Sequence, residues 1–213
     1  VAPARFSPCA EETGLIVAIG EWVLQEACRQ TREWALAGLD GLSIAVNLSG
    51  RQFAQDALLA QVTRALDQSG LDPSRLELEI TESTAMTQPE RTARILAAVD
   101  QLGIGIAIDD FGTGYSSLAY LKRFPVDVLK IDRSFVRDLP DDPDDSAITR
   151  AVIALARSLK LRVVAEGVET VRQLDFLTAH GCDIAQGYYV AAPLAANDFE
   201  AFVRNHGRLA TVA

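Results

Sequence analysis

The chain is short of the residues on which most metal and nucleophile chemistries draw. Its 213 residues include two histidines, His180 and His206, both late in the sequence. A His-rich zinc site or a Ser-His-Asp triad has little material to work with. Three cysteines, Cys9, Cys28 and Cys182, are odd in number and widely scattered. They suit a reducing cytoplasm better than a disulfide framework. No apolar run approaches the ~20 residues needed to cross a bilayer, so this segment is expected to make no membrane contact, whether or not a parent protein is membrane-anchored. Basic residues number 20 against 29 acidic ones, a net charge of −9. Such a surface repels phosphate backbones and argues against a nucleic-acid polymer as partner, but not against a phosphate substrate reached through metal ions. The only methionine is Met86, and the chain starts at Val1 with neither an initiator Met nor a signal peptide. A piece of a longer polypeptide is expected.

What is present is ordinary globular material: 49% apolar and 23% charged residues, enough for one large domain. Helical and strand periodicities alternate. Helices are predicted over Glu21–Leu36, Gln52–Gln68, Pro89–Leu102, around Ser116–Arg123, and over Ala147–Leu159. Thr170 opens another, with Gln173 completing a capping box and Gly181 stopping it. Asp198–Arg204 closes the chain, with Asn197 as N-cap. Strands are predicted over Ser43–Leu48, Arg75–Thr81, Gly103–Asp110, Val126–Ile131, Leu161–Ala165 and Ile184–Val190. The acidic stretch Asp138–Asp145 reads as a surface loop without EF-hand spacing. Six strands alternating with helices imply an α/β fold with a parallel sheet. Trp22 and Trp34, spaced i, i+12, are read as packing residues, and His180 as a solvated residue in a helix's last turn.

Three strands share a phase. Ile44 and Val46, then Leu76, Leu78 and Ile80, then Ile104, Ile106 and Ile108 form bulky faces. The opposite faces are small or polar and end in Asn47, Glu79 and Asp109. In the other strands Lys130 closes VLK, Glu166 follows VVA and Gln186 follows IA. The intervals from Asn47 onward are 32, 30, 21, 36 and 20 residues, about one βα unit each. One polar residue per unit thus reaches the carboxyl end of a parallel strand, where a (β/α) barrel keeps its chemistry. Carboxylate and amide oxygens without His or Cys suit Mg²⁺ or Mn²⁺. Asp110 beside Asp109 offers a second metal a ligand, and two metals ~3.5–4 Å apart would clamp a phosphoryl group.

At these residues the sequence resembles a known family. The run DDFGTGYSSL at Asp109–Leu118 resembles the signature loop of EAL-domain cyclic-di-GMP phosphodiesterases. So do AEETGLI at Ala10–Ile16, VNLS at Val46–Ser49, LELEITES at Leu76–Ser83, LKID at Leu129–Asp132, AEGVE at Ala165–Glu169 and QGY at Gln186–Tyr188. The resemblance runs from Val1 to about Phe202. It implies a bacterial signalling domain with a modified TIM (β/α) barrel whose first strand is antiparallel to the rest. It implies Mg²⁺ or Mn²⁺ at two sites, with Ca²⁺ inhibiting, and hydrolysis of cyclic di-GMP to linear pGpG. Asn47, Glu79 and Asp109 resemble ligands of one metal and Asp110 of the other. Glu166 resembles an acid at the metal and its water, and Lys130 the lysine near attacking water and phosphate. Gln186 resembles a polar group near that cluster, and Glu82 the anchor of the Asp109–Leu118 loop, with Glu169 similarly placed. The resemblance further implies a homodimer formed near Asp109–Leu118, and a sensory or GGDEF-type domain elsewhere in the parent protein.

One motif departs from the pattern. The Glu-Ala-Leu that names the family, with its following Arg, does not occur in its place. Matching Val1-Ala2-Pro3 to the family's V-x-P puts it upstream, by on the order of a dozen residues. Six strands are counted where such a barrel has eight, so the first two strands and one metal ligand are expected in that upstream segment. Two other readings stand beside the phosphodiesterase: a receptor that binds cyclic di-GMP without cleaving it, and a Mg²⁺-dependent barrel lyase or isomerase acting on a carboxylate.

Overall fold

The computed structural model describes residues 3–114 and 117–206. Val1 and Ala2 of the V-x-P match, and Tyr115 and Ser116 of the Asp109–Leu118 run, the second also the first residue of the helix predicted there, lie outside the described residues. Six strands are hydrogen-bonded side by side in the order in which the chain forms them, and two compact units divide the residues.

The first unit takes the residues up to Ile106, with Arg123–Pro125. It opens with helices α1 (Pro3–Thr13) and α2 (Leu15–Leu36), separated at Gly14, whose φ of 78° only glycine adopts without strain. Strand β1 (Ile44–Asn47) follows, then α3 (Gly50–Phe53) and α4 (Leu58–Ser69). The single helix predicted over Gln52–Gln68 is thus two. Ser49 and Gln52 form a capping box that starts α3 early, and the chain breaks before Leu58. A 3-10 turn, Pro73–Arg75, leads into β2 (Leu76–Thr81), which pairs in parallel with β1. Then come α5 (Glu82–Thr87), which the periodicity did not predict, and α6 (Pro89–Asp100). Leu24 and Cys28 of α2, Val62 and Leu66 of α4, and Leu96 and Val99 of α6 are buried.

Strand β3 (Gly105–Phe111) carries the chain into the second unit at Ala107. There follow α7 (Leu118–Leu121), β4 (Val128–Ile131), α8 (Arg133–Val136), α9 (Pro143–Leu159), β5 (Arg162–Ala165), α10 (Val171–His180), β6 (Ile184–Ala185) and α11 (Ala196–His206). The pairs β3–β4, β4–β5 and β5–β6 are all parallel. Ala107, Val128 and Val164 form a buried cluster on which Ile184 packs.

Five local expectations are corrected. The acidic stretch is not loop to its end: Asp142 caps α9 by accepting from the N–H groups of Asp144 and Asp145, and Pro143 takes the first turn. Carboxylates there face the positive end of the helix, so charge read as solvation is a helix start. The last strand stops at Ala185 because the chain turns at Gly187, where Val190 donates back to the Gly187 carbonyl. Asn197 lies inside α11; the Ala195 carbonyl accepts its opening hydrogen bond, from Phe199. Trp22 is 63% exposed and is no packing residue. A spacing of twelve places Trp22 and Trp34 about 120° apart on the helix, so one apolar face does not hold both. His180 is half-buried, with Nδ1 2.7 Å from the Phe176 carbonyl and its ring tilted on Phe176, not solvated.

Candidate active site

In the first unit, parallel pairing sets Asn47 directly beside Glu79. The amide Nδ2 of Asn47 donates to Glu79 Oε2 at 2.8 Å. Asn47 is exposed while Glu79 is buried, so the pair leads from solvent into the end of the strand layer. Glu82 is the first residue of α5 and is 1% exposed, an ionisable group drawn fully inside.

In the second unit, the strand-end residues cluster. β3 and β4 run in register at Ala107↔Val128 and Ile108↔Leu129, and regain register at Phe111↔Ile131. Between these pairs Asp109 and Asp110 together oppose Lys130. That is a β-bulge: two residues face one, the strand bends, and a side chain is re-aimed. Asp110 carries the bend, at φ 53°, a conformation that Asp tolerates better than most residues. Its N–H is held by Asp109 Oδ1 at 3.0 Å. The bulge therefore presents two adjacent carboxylates at one strand end, where regular pleating would send them to opposite faces.

Lys130 is buried among them. Its ammonium lies 2.6 Å from Glu166 Oε1 and 3.3 Å from Asp109 Oδ1. Glu166 follows β5, its N–H donating to the Ile131 carbonyl. Among the described residues, Asp109, Asp110 and Glu166 bring carboxylate oxygens within 4.8 Å of one another. Burial first, then the charges of Asp109, Asp132 and Glu166, push Asp110 up to about 6. Asp132 lies close enough to Asp110 for the two carboxyl groups to act on each other. Burial works against ionisation of Asp132, but Ser134's hydroxyl and N–H and Asp110 outweigh it and hold it below the usual carboxylate range. Three carboxylates gathered together, two of them on the Lys130 ammonium, make a site rich in negative charge. Hard oxygen donors with an excess of negative charge fit a divalent cation of the Mg²⁺ or Mn²⁺ kind.

Asp132 ends the LKID run, and nothing in its spacing singles it out as a site residue. It precedes a four-residue helix too short for periodicity to reveal, though an Asp two residues before a Ser is a capping signal. Gln186 is exposed; its N–H donates to the Ala165 carbonyl, and its carbonyl accepts from Val168. Glu169 is exposed, with its backbone N–H on Gln173 Oε1.

A parallel α/β sheet with acidic residues gathered at the carboxyl ends of its strands is the layout on which (β/α)-barrel proteins build their sites. The chain belongs to the EAL domain family, whose model matches residues 1–193. It is 53% identical over 203 residues to the bifunctional diguanylate cyclase/cyclic di-GMP phosphodiesterase MucR of Pseudomonas aeruginosa, spanning 95% of this chain and 30% of that protein. A solved structure of the PaMucR phosphodiesterase in complex with c-di-GMP superposes with a TM-score of 0.92 at 53% identity, over 93% of this chain and 81% of that one. The Klebsiella pneumoniae BlrP1 complex with manganese and cyclic di-GMP matches at 30% identity and a TM-score of 0.72, over 81% of this chain and 44% of that one. The α/β fold is that of the EAL domains. The chain spans between 23% and 35% of the length of the curated relatives it matches.

Proposed function

We propose that this chain is the catalytic segment of a divalent-metal-dependent phosphodiesterase that opens cyclic di-GMP to linear pGpG. The observation that carries the reading is the cluster of Asp109, Asp110 and Glu166 around the buried Lys130. The identity to a named cyclic-di-GMP phosphodiesterase supports the substrate.

Asp109, Asp110 and Glu166 hold the metal in this reading, Mg²⁺ or Mn²⁺. Asn47 and Glu79, adjacent at the ends of β1 and β2, supply further oxygen ligands. The bound cations supply charge neutralisation at phosphate and a more acidic water. The protein's own groups do the rest. Lys130, held in place by Asp109 and Glu166, donates toward the phosphate oxygens, where negative charge grows in the transition state. Glu166 fixes the ammonium and accepts hydrogen bonds from water at the phosphate. Hydrolysis adds the water oxygen to phosphorus, breaks one phosphorus–oxygen ester bond, and returns a proton to the leaving sugar oxygen. Glu82 and Gln186 keep the supporting roles that the resemblance gives them. Ca²⁺ inhibits and a homodimer forms near Asp109–Leu118 in the same reading, and the whole protein carries further domains.

The test is pGpG production by the full-length parent protein with Mn²⁺, beside Asp109→Asn and Glu79→Gln. Each variant removes a negative oxygen ligand at nearly constant volume and is expected to lose several decades of rate. Near-normal turnover by either variant rejects the ligand assignment. Binding of cyclic di-GMP without turnover by the unaltered protein makes it a receptor, and no binding at all reopens the lyase or isomerase reading.

A further inference from the structure

Gln173 does more than cap its helix. It is 4% exposed at the third position of α10. Its Oε1 accepts from the N–H groups of Glu169 at 2.7 Å and Thr170 at 2.8 Å, the second of which completes the capping box. Its Nε2 leaves the helix altogether and donates to the Arg137 carbonyl at 2.9 Å, 36 residues away in sequence. Arg137 ends α8, the short helix that Asp132 begins. One buried amide thus joins two segments: the loop from Glu166 to Thr170, and the helix headed by Asp132. Both segments carry a carboxylate that acts on Asp110.

The two segments also touch directly. Gly167, at φ 69°, lies where an added Cβ would be 2.7 Å from Arg133 Cβ, so the loop packs on the first residue of α8 without room for a side chain. Val168 is fully buried, its N–H on the Gln186 carbonyl and its own carbonyl accepting from Tyr189. The loop is gripped at Gly167 and Val168, and Gln173 closes the grip at its far end.

We propose that Gln173 is a positioning residue for the acidic cluster: its amide locks the Glu166 loop to α8 and so fixes the spacing of Glu166 and Asp132 about Asp110. The proposal rests on the phosphodiesterase reading for its functional meaning, not for its geometry. Groups that hold metal ligands in place without touching the metal alter affinity by about 10–100-fold when removed.

Gln173→Glu separates the bridge from the cap. A carboxylate still accepts from the Glu169 and Thr170 N–H groups, and a negative charge suits a helix N-terminus. It has no proton to give the Arg137 carbonyl. Mn²⁺ alone is titrated calorimetrically into the metal-free full-length protein, the Gln173→Glu variant and Gln173→Ala, which loses cap and bridge together. The expected result is a Mn²⁺ affinity about 10-fold weaker in Gln173→Glu. Amide exchange on the same metal-free samples should show the Val168 and Arg137 N–H groups exchanging faster together. In the unaltered protein these two amides and that of Thr170 should open as one unit. Unchanged Mn²⁺ affinity in Gln173→Glu, or exchange that quickens at residues 169–171 alone, overturns the proposal, as do unrelated opening energies in the wild type. If the unaltered protein fails to cleave cyclic di-GMP, the phosphodiesterase reading falls while the exchange result still judges the bridge.

Discussion

Lys130 occupies the position in this chain with the sharpest electrostatic consequence. It is 3% exposed at the end of an entirely buried strand, where an ammonium has almost no water. Its charge is tolerable because Glu166 and Asp109 lie within 2.6 and 3.3 Å. The dependence is mutual, since removing one partner of a buried pair leaves the other charge uncompensated, at a cost of about 3–5 kcal/mol. Lys130→Met keeps the length of the side chain and deletes the cation. Without metal this variant should melt well below the unaltered protein, because three crowded carboxylates lose their ammonium. Saturating Mn²⁺ should raise its melting temperature by more than it raises the parent's, since a cation then stands in for the lost charge. Equal shifts from Mn²⁺ in both proteins would mean that these carboxylates are not where the metal binds. The sequence shows Lys130 at a strand end among apolar residues, and so its singularity. It does not show the bulge that turns Asp109 and Asp110 toward it, because a register shift leaves no mark in alternation: Ile106, Ala107, Ile108 and Asp109 read as plain period two.

At the scale of elements, strand starts and stops were legible to within a residue or two wherever β-branched runs met a Gly or a charge. Of the short helices, α7 was, but α3, α5 and α8 were not. The helices α3, α5 and α8 are too short to show a period of 3.6, and only their caps announce them: Ser49 with Gln52, Thr81 with Thr84, Asp132 with Ser134. The overlong reading of β6 has a different cause. Tyr188, Tyr189 and Val190 have strand propensity, but the backbone at Gly187 comes too close to its neighbour for the ladder to continue. A Cβ there would lie 2.2 Å from the Val168 carbonyl oxygen and 2.4 Å from its nitrogen. Neither atom is free to move, because Val168 is hydrogen-bonded to Gln186 and Tyr189. Gly187→Ala should therefore cost about 2–3 kcal/mol through overpacking, a fall of roughly 5–10 °C in a protein of this size. Gly38 is the control: its φ is 87° and nothing lies within 4 Å of an added Cβ, so Gly38→Ala carries only the backbone strain of about 1–2 kcal/mol. Thermal melts of the two variants should separate, with Gly187→Ala the lower. Equal melting temperatures would show that the Gly187 approach is not tight.

The whole molecule is legible in its rhythm, one polar strand end per βα unit, and much less so in its division. The boundary between the two compact units falls inside β3, between Ile106 and Ala107. No Gly, Pro or polar linker marks it, since the residues there are chosen to fill a strand. Each unit nevertheless buries one thiol, Cys28 in α2 and Cys182 just before β6. Burial pushes both up to about 11, from an ordinary value of 9.0. The consequence for stability has a definite sign. Between pH 9 and 11 the unfolded chain releases these protons and the folded chain keeps them, so the folded state binds more protons than the unfolded one. Stability therefore falls as pH rises through that window, and is unaffected by these groups below it. The melting temperature should hold between pH 7 and 8.5 and then decline toward pH 10.5. The double variant Cys28→Ala, Cys182→Ala should start lower, because each truncation leaves a small void in a packed interior. Its decline should be shallower, because the two protons that drive the parent's loss are gone. The exposed Cys9 supplies an internal check: in the native protein at pH 8 one thiol should react quickly with a disulfide reagent, and two more only on unfolding. Parallel pH profiles for parent and double variant would show that the buried thiols do not set the alkaline limit.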